Sequence, residues 1–216
     1  MMKSMHPLVM GYPLDVLLML VSGVFYLVCA LYVLKIKKED RSELVNALFA
    51  FLTYQAVGMF FMGLQMNTME AVYGRIAALS VLIGAAYMLK FPFSRFSAST
   101  RKITFMLSLI VSFLIFGWFI QNPMREMKLF HFMLWYDIVV NGLVVGGAII
   151  LFGLRNSGFY RTKALGGGSG VVSCCVVANV SMLGGFMLVS SFFQFLAPVL
   201  ILAVLIMGKK GSSQSV

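Results

Sequence analysis

The sequence predicts an all-α membrane protein: a single bundle of seven transmembrane helices with the N-terminus outside and the C-terminus in the cytoplasm. Three observations lead there. Of 216 residues, 61% are hydrophobic and only 11% charged, whereas about 25% of an ordinary soluble domain is charged. The apolar residues fall into runs of membrane-crossing length, about 20 residues each. The basic residues between those runs are distributed unequally between alternate loops. Seven crossings leave only short loops among these residues, so a folded soluble kinase, cyclase or nucleic-acid-binding domain is not expected within them.

The seven spans are drawn at 14–34, 44–64, 74–90, 103–120, 129–154, 171–186 and 189–207. Each is read as a helix, because an open sheet or irregular chain leaves its backbone polar groups unsatisfied in lipid. The first opens at Pro13 and Asp15, a proline with a helical φ and an acid at the positive end of the dipole, so Asp15 is expected to cap in water. The charges Lys35, Lys37 and Lys38 follow the apolar run rather than precede it, and the run is too long for a signal-peptide core, so it is read as a retained helix. The third run is short, so Gly74 and Arg75 complete it on one side and Lys90 snorkels on the other. Between the fifth and sixth runs, Gly166 to Gly170 (GGGSG) reads as a slack loop or a hinge. The last two spans require a tight turn, near Gly184 and Gly185 or near Ser190 and Ser191.

Loop charge sets the orientation. Lys35, Lys37, Lys38 and Arg41 follow the first span, Lys90, Arg95, Arg101 and Lys102 the third, Arg155, Arg161 and Lys163 the fifth, and Lys209 and Lys210 the last. These thirteen face Lys3, Arg75, Arg125 and Lys128 on the other side, and the positive-inside bias places the thirteen in the cytoplasm. The net charge of +10 therefore reads as topology and contact with anionic lipid, not nucleic acid.

Ionisable residues inside spans are costly, and chemistry is sought there first. Two acids qualify, Asp15 and the deeper Asp137. At about 1.5 Å per residue, Asp137 lies roughly 12 Å along a helix starting near Leu129. Phe130, Met133, Asp137, Asn141 and Val144 share one face at the α-helical period, so Asn141 neighbours Asp137 one turn inward. This pair reads as packing across a helix interface, as a ligand or proton sensor, or as part of a transport route. His131, with Trp135 and Tyr136, lies off that face. It belongs to an interfacial aromatic belt with Trp118, Tyr12 and Tyr73, or to an outward cavity where it titrates near neutral pH. Gln55, Asn179 and Gln194 are the other polar side chains within spans, each suited to joining helices.

Close helix approach is expected at Gly142 and Gly146 (GxxxG) and along Cys174, Ala178, Ser181 and Gly185. A homo-oligomer face there is also open. Cys29, Cys174 and Cys175 lie in apolar runs without metal-ligand spacing and read as reduced packing residues, and the 17 methionines as adaptable core filling. No cofactor is expected. A bis-histidine haem lacks its histidines, since only His6 accompanies His131, and a retinal Schiff base lacks a lysine between residues 171 and 207.

One stretch resembles a known family. Ala30-Leu-Tyr-Val-Leu-Lys35 running into a basic loop, Arg41 with Asn46 and Phe49-Ala-Phe51, Tyr73-Gly-Arg75, and Lys90-Phe-Pro-Phe93 are similar to the seven-helix membrane region at the N-terminus of sensor histidine kinases. The resemblance covers mainly the first three helices. It implies an input module that passes a signal to a cytoplasmic output; nine residues follow Met207, so autokinase activity is not carried over and a separate cytoplasmic signalling partner is expected. The resulting expectation is a non-enzymatic cell-membrane protein of sensory or accessory type, surrounded by lipid. The alternative is a small-solute or ion transporter using Asp137 and Asn141.

Overall fold

The computed structural model describes residues 8–9, 12–37, 43–93, 96–155 and 157–210. Lys3, His6, Lys38, Arg41 and Arg95 lie outside the described residues. A two-stranded antiparallel hairpin, β1 (Leu8–Val9) with β2 (Tyr12–Pro13), pairs Leu8 with Pro13 and Val9 with Tyr12. Four uninterrupted helices follow: α1 (Leu14–Lys37), α2 (Glu43–Thr68), α3 (Ala71–Met88) and α4 (Ala98–Ile120). Helix α5 runs in three consecutive stretches, Pro123–Asp137, a π-helical Ile138–Gly146, and Gly147–Leu154. Helix α6 does the same through Gly158–Val172, a π-helical Ser173–Ala178, and Asn179–Leu183. Helix α7 spans Met187–Lys210. All seven are long and apolar enough to cross a bilayer.

Six of the helices close a ring. Helix α1 packs on α2 and α7, α2 on α3, α3 on α5, α5 on α6, and α6 on α7. Helix α4 stands outside the seam between α3 and α5, and only 6% of its apolar window is buried, against 33–50% for the other six. Its lipid-facing side chains, among them Leu107, Leu114 and Trp118, are what a bilayer rather than water would solvate.

Local chemistry explains the ends. Ser97 Oγ accepts from Thr100 N at 3.2 Å and caps α4. Gly185, at φ +81°, ends α6 in a double hydrogen-bonded cap in which Phe186 N donates to Ser181 O at 2.8 Å and Gly185 N to Met182 O at 3.0 Å. The turn thus falls at Gly184 and Gly185. Ser190 and Ser191 lie inside α7 and are buried. Gly185 is not a packing residue, contrary to the sequence expectation: it is exposed and a Cβ there would meet nothing within 4 Å.

The glycine-rich run is not slack either. Gly166 to Gly170 is continuous helix within Gly158–Val172, because the missing side chains admit neighbouring helices. A Cβ on Gly168 would lie 2.7 Å from Ile150 Cγ1 in α5, one on Gly170 3.0 Å from Ile201 Cγ1 in α7, and one on Gly166 would fall on Val204 Cγ2. Close approach of this kind is how small residues hold helices together where lipid supplies no hydrophobic driving force. Asp15, expected in water, is buried at 4% exposure. The hairpin folds back against the start of α1, and Asp15 Oδ1 accepts from Val16 N at 3.1 Å.

At the opposite end of the bundle Glu43 joins three elements. It pairs with Lys90 at 3.1 Å and with Arg101 Nε at 3.0 Å, and Lys90 Nζ stands 4.4 Å over the Phe105 ring. Lys90, hydrogen-bonded to the carboxylate, and then Arg101 hold Glu43 below its ordinary carboxyl range. Those of the loop charges expected in the cytoplasm that fall among the described residues lie at this end. Reporter fusions after Lys38, Ala98, Tyr160 and Ser212 should therefore report the cytoplasm, and fusions after Met5, Thr68 and Met124 the outside. An external reporter at Ser212 would overturn this orientation.

Candidate functional site

The sequence places Asp137 and Asn141 on one helix; the fold links them to three further helices. Asp137 is 5% exposed and Asn141 fully buried. Asn141 Nδ2 donates to Asp137 Oδ1 at 2.6 Å, and from α6 Asn179 Nδ2 donates to Asp137 Oδ2 at 2.7 Å and to Cys175 O at 3.0 Å. Helix α7 enters through Gln194, whose Nε2 donates to Asn179 Oδ1 and to Cys174 O, both at 3.4 Å. Cys174 Sγ donates to Gln194 Oε1 at 2.8 Å, and Tyr26 OH of α1 donates to that sulfur at 3.0 Å. One hydrogen-bonded chain thus runs from α5 through α6 and α7 to α1.

Pro198 strengthens the last link. A proline has no N–H to give the carbonyl four residues earlier, which here is that of Gln194. Ser22 Oγ of α1 takes the place of the missing donor at 2.6 Å, and Cys29 Sγ donates to Pro198 O at 3.4 Å. The network residue Gln194 therefore sits one turn before the proline break, and α1 carries hydrogen bonds on both sides of it.

The π-helical stretches explain why these groups meet. A π turn bonds each N–H to the fifth carbonyl back and widens the helix. Along α5 the buried positions consequently run Met133, Asp137, Asn141 and Val145, while Val144, expected on this face, is 45% exposed. In α6 they run Cys174, Ala178 and Met182, and Ser181, expected to pack, turns its Oγ back to Val177 O at 2.8 Å. The two wide stretches pack on each other. A Cβ on Gly142 would fall on Val176 Cγ2, and one on Gly146 would lie 2.8 Å from Val172 Cγ2. Gly142, Gly146 and the fully buried Ala178 thus hold α5 against α6 within one chain.

Beside Asp137 lies a cavity with about 20 Å³ open to the centre of a water molecule, where about 10–15 Å³ suffices to hold one. It is lined by Asp137, Asn179, Gln194, Gln55 and a set of methionines. Gln55, from α2, is 1% exposed and its Nε2 has no hydrogen-bond partner; the same is true of Asn141 Oδ1. His131 is not part of this site. It is exposed and meets Phe130 edge-on at 6.2 Å between ring centroids, and Trp118 and Trp135 are likewise exposed, 58% and 57%.

Among the described residues no group of three or more His, Cys, Asp or Glu side chains is placed to hold a metal ion. No protein family, curated protein or solved structure matches the chain. The coarse part of the sequence expectation is what the structure shows: the protein is a polytopic, all-α bundle of seven helices long and apolar enough to span a membrane.

Proposed function

We propose that the protein is a membrane-embedded sensory or accessory module, in which a change at Asp137 repacks the helices and is passed to a partner at the basic, cytoplasmic end. One observation carries this reading: the hydrogen-bonded chain from Asp137 reaches Gln194, one turn before Pro198, and through Ser22 the helix α1. A break in the ladder is where a helix bends most readily. Altering the charge or partners of Asp137 therefore acts on the two helices, α1 and α7, that close the ring. The transporter alternative is less well supported, because Val33, Phe51, Leu52, Ala85 and Ile201, buried toward the Glu43 end, are apolar, and the buried Ser112 belongs to α4, outside the ring, and turns its hydroxyl to Leu82 O.

The test is a distance. Spin labels at Leu34→Cys and Ile206→Cys occupy exposed positions toward the cytoplasmic ends of α1 and α7, whereas the three native cysteines are buried. Asp137→Asn should shift the label-to-label distribution in lipid nanodiscs. An unchanged distribution, together with Asp137-dependent ion or solute flux into liposomes, would replace this reading with transport.

A further inference from the structure

Five methionines drawn from four helices converge on the cavity beside Asp137: Met19 of α1, Met59 and Met62 of α2, Met133 of α5 and Met182 of α6. Elsewhere in a core methionine fills irregular gaps, but here a gap is left open, bordered by a carboxylate and by Gln55, whose buried Nε2 has no partner. We propose that this cavity binds a soft monovalent metal cation, Cu(I) or its analogue Ag(I), held by methionine thioethers and the Asp137 carboxylate. The proposal rests on the reading of the Asp137 network as an input site and names its ligand.

Three features converge on that chemistry. Charge selects a monovalent ion: among the described residues no Lys, Arg or His lines the cavity, so one positive charge that takes the place of the carboxyl proton balances Asp137, and a divalent ion would leave a buried excess. The donor set selects a soft one, since thioethers favour Cu(I) over the oxygen-seeking cations Na⁺, Mg²⁺ and Ca²⁺. Size favours a small ligand, because the space open to the centre of a water molecule is only about 20 Å³, little more than the roughly 10–15 Å³ that one water needs. Two amide N–H groups already occupy one position on each Asp137 oxygen, and a carboxylate has about four acceptor sites, so lone pairs remain for a metal. Gln55 adds a further oxygen donor: it lines the cavity, its Nε2 has no partner to hold the carboxamide in place, and rotation of that group offers Oε1 to the ion.

The experiment uses the full chain in lipid nanodiscs, titrated with Ag⁺ in nitrate buffer, with bound silver measured after gel filtration. Because thiols also bind Ag⁺, the chain with Cys29, Cys174 and Cys175 all replaced by serine is titrated in parallel. One Ag⁺ per chain is expected in both, undiminished by a large excess of Na⁺. Met59→Leu with Met133→Leu, a swap that nearly conserves volume, should weaken binding roughly 10- to 100-fold, at least the scale on which outer-shell changes move metal affinity. Silver-edge X-ray absorption on the cysteine-free chain should show sulfur neighbours, which keeps the test decisive if the methionine variant does not fold. Binding that disappears with the thiols, that yields to Na⁺, or that shows oxygen neighbours alone overturns the proposal. Ag⁺ bound without any shift in the Leu34 to Ile206 distance supports the site and counts against the sensory reading. A shift on Asp137→Asn in a chain that binds no Ag⁺ does the reverse.

Discussion

Leucine at Gly142 is expected to destabilise the protein by about 2–3 kcal/mol, the upper range for forcing extra atoms into a packed interface, and to lower the yield of folded protein accordingly. A Cβ at this position already falls on Val176 Cγ2, with Cys175 Cβ 3.4 Å away, and the larger side chain has no other direction to take between two packed helices. Gly147, five residues further along the same helix, provides the control. A Cβ there meets nothing within 4 Å, so Gly147→Leu should leave stability unchanged or raise it by up to about 1 kcal/mol through helix propensity. Thermal unfolding of the detergent-solubilised variants, followed by size-exclusion chromatography, separates the two. Equal behaviour of Gly142→Leu and Gly147→Leu would show that α5 and α6 do not pack as described.

Asp137→Leu is expected to cost about 1–3 kcal/mol. It strands two buried amide donors, Asn141 Nδ2 and Asn179 Nδ2, at positions where both now end on a carboxylate oxygen. A stranded buried donor costs about 1–3 kcal/mol in protein interiors, but single hydrogen bonds within membranes average about 0.6 kcal/mol because the unfolded helices find other partners. Asp137→Asn keeps the shape and one acceptor oxygen, while its NH₂ meets one of the two donors. It should therefore cost about half as much and express near normally. The same melts check the order: wild type, then Asn, then Leu. A leucine variant as stable as the wild type would mean that the network does not hold the helices together.

Much of the candidate site was legible beforehand. Asp137 stood out as an acid within a span, Asn141 as its neighbour four residues on, and Asn179, Gln194 and Gln55 as the remaining amides in apolar runs. Their convergence was not legible, because nothing local in the chain says that position 179 of one helix reaches position 137 of another. The role of Pro198 did leave a trace, a proline four residues after Gln194, but only the packed fold shows Ser22 supplying the missing donor. Face assignments failed at Val144 and Ser181 for one reason. They assume the α-helical period, and both residues lie within or just beyond a π-helical stretch where the buried positions recur at every fourth residue.

Fold class and the existence of seven spans follow from the chain alone, since apolar runs of bilayer length have one backbone solution in lipid, and hydrophobicity and length are additive properties read residue by residue. Close packing and polar pairing are not additive. The GGGSG run has the composition of a flexible linker, yet in contact with Ile150, Ile201 and Val204 it is helix, because what glycine lacks matters only when a neighbouring helix arrives to use the space. Asp15 and Gly185 changed meaning in the same way, the first buried at the start of α1 and the second placed in a turn by its positive φ. Pairwise geometry between distant residues is set by the fold, and so the cavity, its methionines and the chain of hydrogen bonds beside it emerge only once the helices are assembled.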